Sequence, residues 1–153
     1  MVFGQCRKEE DQQQHRQKFK CEAYNKQTIR LRLVQLLRLI MDCIFCKIIK
    51  KELPADIVYQ DETIIAFNDR HPCAPIHQLI VPKKHIATLN DLTEDDTLLA
   101  GNMLQVARHL AKKAQITQSG YRAVFNCNKD GGQEVFHLHL HLLGGRVLLW
   151  PPG

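Results

Sequence analysis

No apolar run in this 153-residue chain reaches the roughly 18 residues that cross a bilayer. The one stretch resembling the apolar part of a secretory leader, residues 31–40, is broken by Arg32 and Arg38. It also follows thirty mostly polar residues and lacks a small-residue cleavage site. Six cysteines, at 6, 21, 43, 46, 73 and 127, are too sparse for a disulfide scaffold. The expectation is a cytoplasmic chain with reduced thiols and no membrane contact. Basic charge is missing where a polyanion would need it. The net charge is +5, yet residues 1–40 hold nine Lys and Arg against four Asp and Glu, whereas residues 41–153 hold twelve of each. A neutral body carries no electrostatic footprint for nucleic acid, so none is expected as a partner.

What remains, with 44% apolar and 24% charged residues, suits one soluble domain with a modest core. Residues 1–40 are Gln- and Lys-rich and read as a flexible basic extension, with a short amphipathic stretch over 31–40. Met41 opens a segment of different composition and is a candidate start of translation. From Cys43 to Lys51, Ile44, Phe45, Ile48 and Ile49 fall at helical spacing, closed by Pro54. Strand patterns cover 57–60 and 63–67, joined at Asp61-Glu62 without the glycine of the favoured hairpin turns, and then 77–81, ended by Pro82. A long helix is predicted from about Thr93, with Leu99, Met103, Val106 and Leu110 as its apolar stripe. Two more strands follow, at 121–126 and 136–143, and no internal repeat is visible. Short links between neighbouring strands predict an α+β domain over 41–153, with a five-stranded antiparallel sheet and two helices.

The most informative run is His137-Leu138-His139-Leu140-His141-Leu142-Leu143. In an extended strand alternate side chains share a face, which sets three imidazoles on one side, about 6.6 Å apart along the strand, and leucines on the other. Two chemistries fit such a row. One is metal ligation, with Cys43-x-x-Cys46 adding two thiolates. The other is attack by a neutral imidazole on phosphorus, with neighbouring rings handling protons. Asn126 and the paired Gly131-Gly132 just upstream favour the second, because glycines let backbone N–H groups close on an anion. No paired carboxylates beside the row are available to hold Mg²⁺, so a metal-independent reaction is expected.

The segment from Gly131 to Arg146 closely resembles the signature of the histidine triad superfamily, His-φ-His-φ-His-φ-φ with φ apolar. Ile44-Phe45-Cys46-Lys47-Ile48-Ile49, Ala74-Pro75-Ile76-His77, Ile80-Val81-Pro82-Lys83-Lys84-His85-Ile86 and Trp150-Pro151-Pro152-Gly153 resemble its nucleotide-binding Hint branch. The resemblance spans about 42–153, and residues 1–40 match nothing in the family. It implies a purine nucleoside phosphoramidase that releases a nucleoside monophosphate such as AMP and an amine. It further implies a homodimer with a ten-stranded sheet. By position, His139 matches the nucleophile, and His137, His141 and His77 match histidines that orient it or contact phosphate and leaving group. Asn126, Gly132, Gln133 and Glu134 fall in the phosphate and leaving-group segment, with Glu134 where animal members carry serine and bacterial members glutamate. Asp69 matches the carboxylate that receives the ribose hydroxyls, and also suits a turn ahead of Pro72. Phe67 lies beside the purine pocket, and Trp150 resembles a residue that reaches the partner's site. Hydrolysis of dinucleoside polyphosphates, a sister branch's activity, and a nucleotide-binding adaptor are the alternatives.

No cofactor is expected on this reading. Some relatives with a paired cysteine motif hold structural zinc with two histidines, which the resemblance places at Cys43, Cys46, His77 and His137. His71 and His85 read as surface residues.

Overall fold

A computed structural model describes residues 43–150 and Ile29, all but Ile29 within the unit Asp42–Gly153. The expected extension over 1–40 and the candidate start at Met41 otherwise lie outside the described residues.

The first helix, α1 (Ile44–Ile49), is only six residues long and turns Phe45 and Ile48 inward. It ends where Lys51 adopts a left-handed backbone, φ 63°. Strands β1 (Ile57–Gln60) and β2 (Ile64–Asn68) pair antiparallel. The glycine missing from their connection is replaced by the Asp61 carboxylate, which accepts hydrogen bonds from the Tyr59 hydroxyl and the Thr63 and Ile64 backbone N–H groups, each at 2.7 Å. Strand β3 (Ile76–Pro82) follows, then two short 3₁₀ turns, then α2 (Thr97–Lys113), β4 (Tyr121–Phe125) and β5 (Leu140–Gly144). Thr93 does begin the helical region, through a capping box with Asp96, but the first turn is 3₁₀ and the α-helix starts at Thr97.

The sheet order is β1-β2-β3-β5-β4, antiparallel throughout, so β3 and β5 lie side by side in its interior. Period-two alternation divides the core between the sheet's faces. Ile64, Ala66, Ile80, Leu140 and Leu142 pack with Met103, Val106 and Leu110 of α2. Ile65, Phe67, Leu79 and Val81 face the other way and pack with Phe45 and Ile48 of α1. The leucines of the histidine row thus serve the α2 side, and the imidazoles face α1.

One expected boundary is corrected. The strand predicted over 136–143 joins the ladder only at Leu140, opposite Ile80. Nearby, β3 ends on Pro82, which has no N–H to give, and its carbonyl is taken by the His137 ring at 2.8 Å. The preceding stretch instead holds on through Leu138 N–H to the Ile86 carbonyl. Because Leu110 is 1% exposed and central to the larger cluster, Leu110→Ala is expected to cost about 3 kcal/mol in equilibrium urea unfolding.

Candidate active site

Register brings the histidines together. In the β3–β5 ladder His77 stands opposite Leu143 and Leu79 opposite His141. His77 and His141 are therefore diagonal neighbours on the α1 face, with ring centroids 5.2 Å apart. His139 continues the same face, 4.8 Å from the His141 ring and 5.2 Å from the ring of Phe45, which it meets edge-on.

The tautomers follow from the partners. The Cys73 backbone N–H donates to His77 Nδ1 at 3.2 Å, so the proton of a neutral His77 sits on Nε2. That Nε2–H points at His141 Nδ1, 2.9 Å away, with Asp69 Oδ2 at 3.4 Å. His141 Nδ1 is thus an acceptor, and the proton of this ring is on Nε2, a buried atom with no protein hydrogen-bond partner. His139 Nδ1 lies 2.6 Å from the His137 carbonyl, which can only accept, so Nδ1 is protonated and Nε2 carries the lone pair. His137 donates from Nε2 to Pro82, which leaves its lone pair on Nδ1.

Burial keeps these rings neutral. It is the leading cause that lowers the proton affinity of His77 and His139, the latter opposed by its bond to the His137 carbonyl and by Asp69. Burial, then the neighbouring His139 and His77, push His141 down to about 4. Burial against the bond to Pro82, with His85 and His139 nearby, likewise takes His137 to about 4.

The glycine-rich loop upstream is held by its own backbone. A Cβ on Gly131 would sit 2.5 Å from the Cys127 carbonyl oxygen, and Gly132 has φ +73°. Neither position accommodates a side chain without strain. Asn126 Nδ2 donates to the Gly132 carbonyl at 3.4 Å. Gln133, expected at the substrate, has its amide engaged by backbone: Oε1 accepts from Asn128 N–H at 2.9 Å, and Nε2 donates to the Ala87 and Val135 carbonyls at 2.7 and 3.1 Å. It braces the loop. Asp69 does serve its turn, accepting from the His71 N–H at 2.8 Å, while facing His77. Phe67 is buried edge-on to Phe45. Glu134, His71 and Trp150 are exposed, Trp150 at 83%.

A second cluster adjoins the first. His137 Nδ1 lies 3.4 Å from Cys43 Sγ, 3.5 Å from Cys46 Sγ and 3.2 Å from His85 Nδ1. Cys46 Sγ is 3.3 Å from His85 Nδ1, and all four potential ligand atoms lie within 4.8 Å of one another. With Zn–S bonds of about 2.3 Å and Zn–N bonds of about 2.0 Å, a tetrahedron has edges of about 3.3 Å between nitrogens and about 3.5 Å between nitrogen and sulfur. The four separations just given match those edges, and the donor set of two thiols and two imidazoles suits zinc. Burial and the adjacent Cys43 raise the Cys46 thiol to about 11, so a cation there would displace a proton. Asp69, His77 and His141 also converge, but the Cys73 N–H fixes a proton on the His77 nitrogen that would have to ligate. That group forms instead a hydrogen-bonded chain from Asp69 and His77 to His141.

The histidine expected with the cysteine pair is therefore corrected from His77 to His85. Opposite Leu143, His77 is six residues along the strand direction from His137, about 20 Å of extended chain. His85, expected on the surface, is half-buried just past the end of β3, where antiparallel register returns the chain to His137. That register was the signal that would have found it.

Comparison with known proteins agrees with this architecture. A family model described as "Scavenger mRNA decapping enzyme C-term binding" matches residues 42–147. The chain is 49% identical over 107 residues to the purine nucleoside phosphoramidase of Escherichia coli K12, covering 70% of this chain and 90% of that one. A crystal structure of a HIT family hydrolase from Legionella pneumophila superposes with TM-score 0.72 at 55% identity, covering 73% of this chain and all of that one (100%). A histidine triad protein from Clostridium difficile gives 0.69 at 46% identity, covering 71% and 95%. The chain belongs to the histidine triad family and is a hydrolase. Among the described residues no helix is long and apolar enough to cross a membrane.

Proposed function

We propose that this hydrolase cleaves the P–N bond of purine nucleoside phosphoramidates through a nucleotidyl intermediate on His139. One observation carries the reading: a ring nitrogen with a lone pair, His139 Nε2, neighbours a ring bearing a buried N–H without a partner, His141 Nε2. A nucleophile and a proton donor side by side are what P–N cleavage needs, because an amine leaves readily only when protonated.

The entering anion raises the proton affinity of the His77–His141 pair, and Asp69 beside His77 balances the added charge. His139 Nε2 then attacks phosphorus, the P–N bond breaks, and the amine departs with the pair's added proton from His141 Nε2. Water attacks the nucleotidyl-imidazole next. The P–Nε2 bond breaks, water's proton returns to the pair, and the nucleoside monophosphate leaves. Asn126 and the backbone N–H of Gly132, which here donates to the Lys129 carbonyl at 3.0 Å and would have to exchange that partner for a ligand, are assigned to the phosphate oxygens, whose charge such donors stabilise. Asp69 is assigned also to the ribose hydroxyls, Phe67 to the purine side of the pocket and exposed Glu134 to the leaving-group side. His137 and Gln133 act by positioning.

The identity to the E. coli phosphoramidase supports this substrate class over dinucleoside polyphosphates or an adaptor role. Beta4 lies at a sheet edge, and pairing it with a second copy would give the ten-stranded sheet of a homodimer, with Trp150 directed to the partner's site. Four described cysteines are free, in keeping with a cytoplasmic location. Cys43, Cys46, His85 and His137 would hold zinc as a closed structural site, where it supplies cross-linking rather than Lewis-acid chemistry.

A substrate panel tests the reading. Adenosine phosphoramidates with small amines are expected to exceed diadenosine polyphosphates by at least about 100-fold in kcat/KM. The reverse order would transfer the protein to the sister activity, and AMP binding without turnover of either would favour the adaptor.

A further inference from the structure

We propose that Arg146 is a positioning residue for the proton donor: by holding the Cys73 carbonyl it keeps the Cys73 N–H on His77, and so fixes the His77 tautomer on which the His141 proton depends. The inference rests on the reading of His141 as donor to the leaving amine and adds a role for the turn at the end of β5.

The contact is built where the β3–β5 ladder ends. Ile76 pairs with Gly144, so the chain leaving β5 passes beside the residues entering β3. Gly145 turns there with φ +82°, and a Cβ on it would sit 2.9 Å from the Pro75 Cβ, a close approach that glycine permits. The turn delivers Arg146 to the loop ahead of β3. Its Nη2 donates to the Cys73 carbonyl at 3.1 Å and its Nη1 to the Val147 carbonyl at 3.0 Å, so the guanidinium ties the two segments together.

The loop over 69–75 needs that tie. Its first end is secured by Asp69 N–H on the His77 carbonyl at 2.9 Å and by His71 N–H on the Asp69 carboxylate at 2.8 Å. Pro72 and Pro75 have no N–H to contribute. Cys73, itself exposed, holds the other end through its N–H on His77 Nδ1 at 3.2 Å and its carbonyl on Arg146. Two torsions, φ and ψ, separate that carbonyl from that N–H, so pinning the first restrains the second.

The consequence runs inward through lone pairs. Once the Cys73 N–H swings away, His77 Nδ1 is free to take the ring's proton, and Nε2 then presents a lone pair to His141 Nδ1 at 2.9 Å. Two lone pairs at that distance repel, so His141 moves its own proton to Nδ1. Both rings stay neutral, but His141 Nε2 turns from donor to acceptor and the amine loses its proton source. His139 stands outside this chain, because the His137 carbonyl sets its tautomer. The inversion therefore affects protonation of the leaving group and spares the nucleophile. The bond from Arg146 to Cys73 lies at the surface, where water competes, so the expected effect is about tenfold rather than a total loss.

The test compares three variants of the full chain. Arg146→Gln removes the charged fork, Arg146→Lys keeps a cationic donor, and Arg122→Gln cuts a different tie of the same segment, the bond to the Leu149 carbonyl at 2.7 Å. Arg146 is exposed, so its replacement leaves the core intact. Two-bond ¹H–¹⁵N NMR reads the His77 and His141 tautomers. Single-turnover nucleotidylation is timed with two substrates: an adenosine alkyl-phosphoramidate, whose amine must be protonated, and the p-nitrophenyl ester of AMP, whose phenolate leaves without a proton. In Arg146→Gln both rings are expected as tautomer mixtures, with the phosphoramidate rate down about tenfold and the ester rate within about threefold. Arg146→Lys should restore most of the loss, and Arg122→Gln should keep the native tautomers and both native rates. Equal slowing of the two substrates, the same loss in Arg122→Gln, or a single native tautomer at His77 in Arg146→Gln overturns the proposal. A tautomer shift in a chain that turns over neither substrate would uphold the positioning role and sink the proposed reaction instead.

Discussion

His139→Ala is expected to lose at least about 10³-fold in phosphoramidate turnover while binding AMP nearly as well as the native chain. The size follows from what is removed. The proposed route divides P–N cleavage into two displacements at phosphorus, and both need the same nitrogen, first as nucleophile and then as leaving group. No neighbouring ring replaces it: His137 has both nitrogens committed, and His141 presents a proton where a lone pair would be required. Binding should survive because the loop assigned to the phosphate is braced independently, by Gln133 and by the backbone around Gly131 and Gly132. The covalent species gives a second readout. Rapid acid-free quenching and mass spectrometry should place the nucleotide on the peptide containing His139 in the native chain and nowhere in the variant. Wild-type rates in His139→Ala, or a nucleotide trapped on His141, would show that the nucleophile has been misassigned.

Much of this was legible in the chain because it depends on short-range regularities. The alternation from His137 to Leu143 requires a leucine face and a histidine face whatever the strand pairs with, and the core does take Leu138, Leu140 and Leu142. The strand pattern and the stripe Met103, Val106 and Leu110 likewise follow from local period and end signals. What escaped was set by long-range register. The site pairing of His77 with His141, and of His85 with the cysteine motif, depends on which residue of β3 faces which residue of β5. A motif has no register. Gln133 illustrates a different limit, since its type suits a substrate contact as well as a brace. Only its three backbone partners distinguish them.

In zinc-free protein, lowering the pH from about 6.5 to 4 is expected to remove stability steeply, through the same buried rings. The folded chain holds His137 and His141 neutral down to about 4, against 6.5 for an exposed ring. Between those limits the unfolded chain binds protons that the folded chain refuses, so stability falls with falling pH, by about 1.4 kcal/mol per pH unit for each such ring. For fully buried His137 the loss comes to about 3 kcal/mol, with less from His141, whose partial contact with water screens it. Against a typical total of about 5–15 kcal/mol this is a large fraction. Carboxylates do not obscure the window. Asp96, held low chiefly by the Lys84 ammonium, contributes above 3.8 and loses that contribution only below it. Urea unfolding of chelator-treated protein at pH 7, 6 and 5 reads the slope, and His141→Gln should flatten it by removing one of the two rings. Zinc should oppose the effect at His137, because protonating Nδ1 would require releasing the metal. A stability that stays level from pH 7 to 5 without zinc would mean that these rings are not buried in neutral form, and the tautomer network from Cys73 to His141 would fall with it.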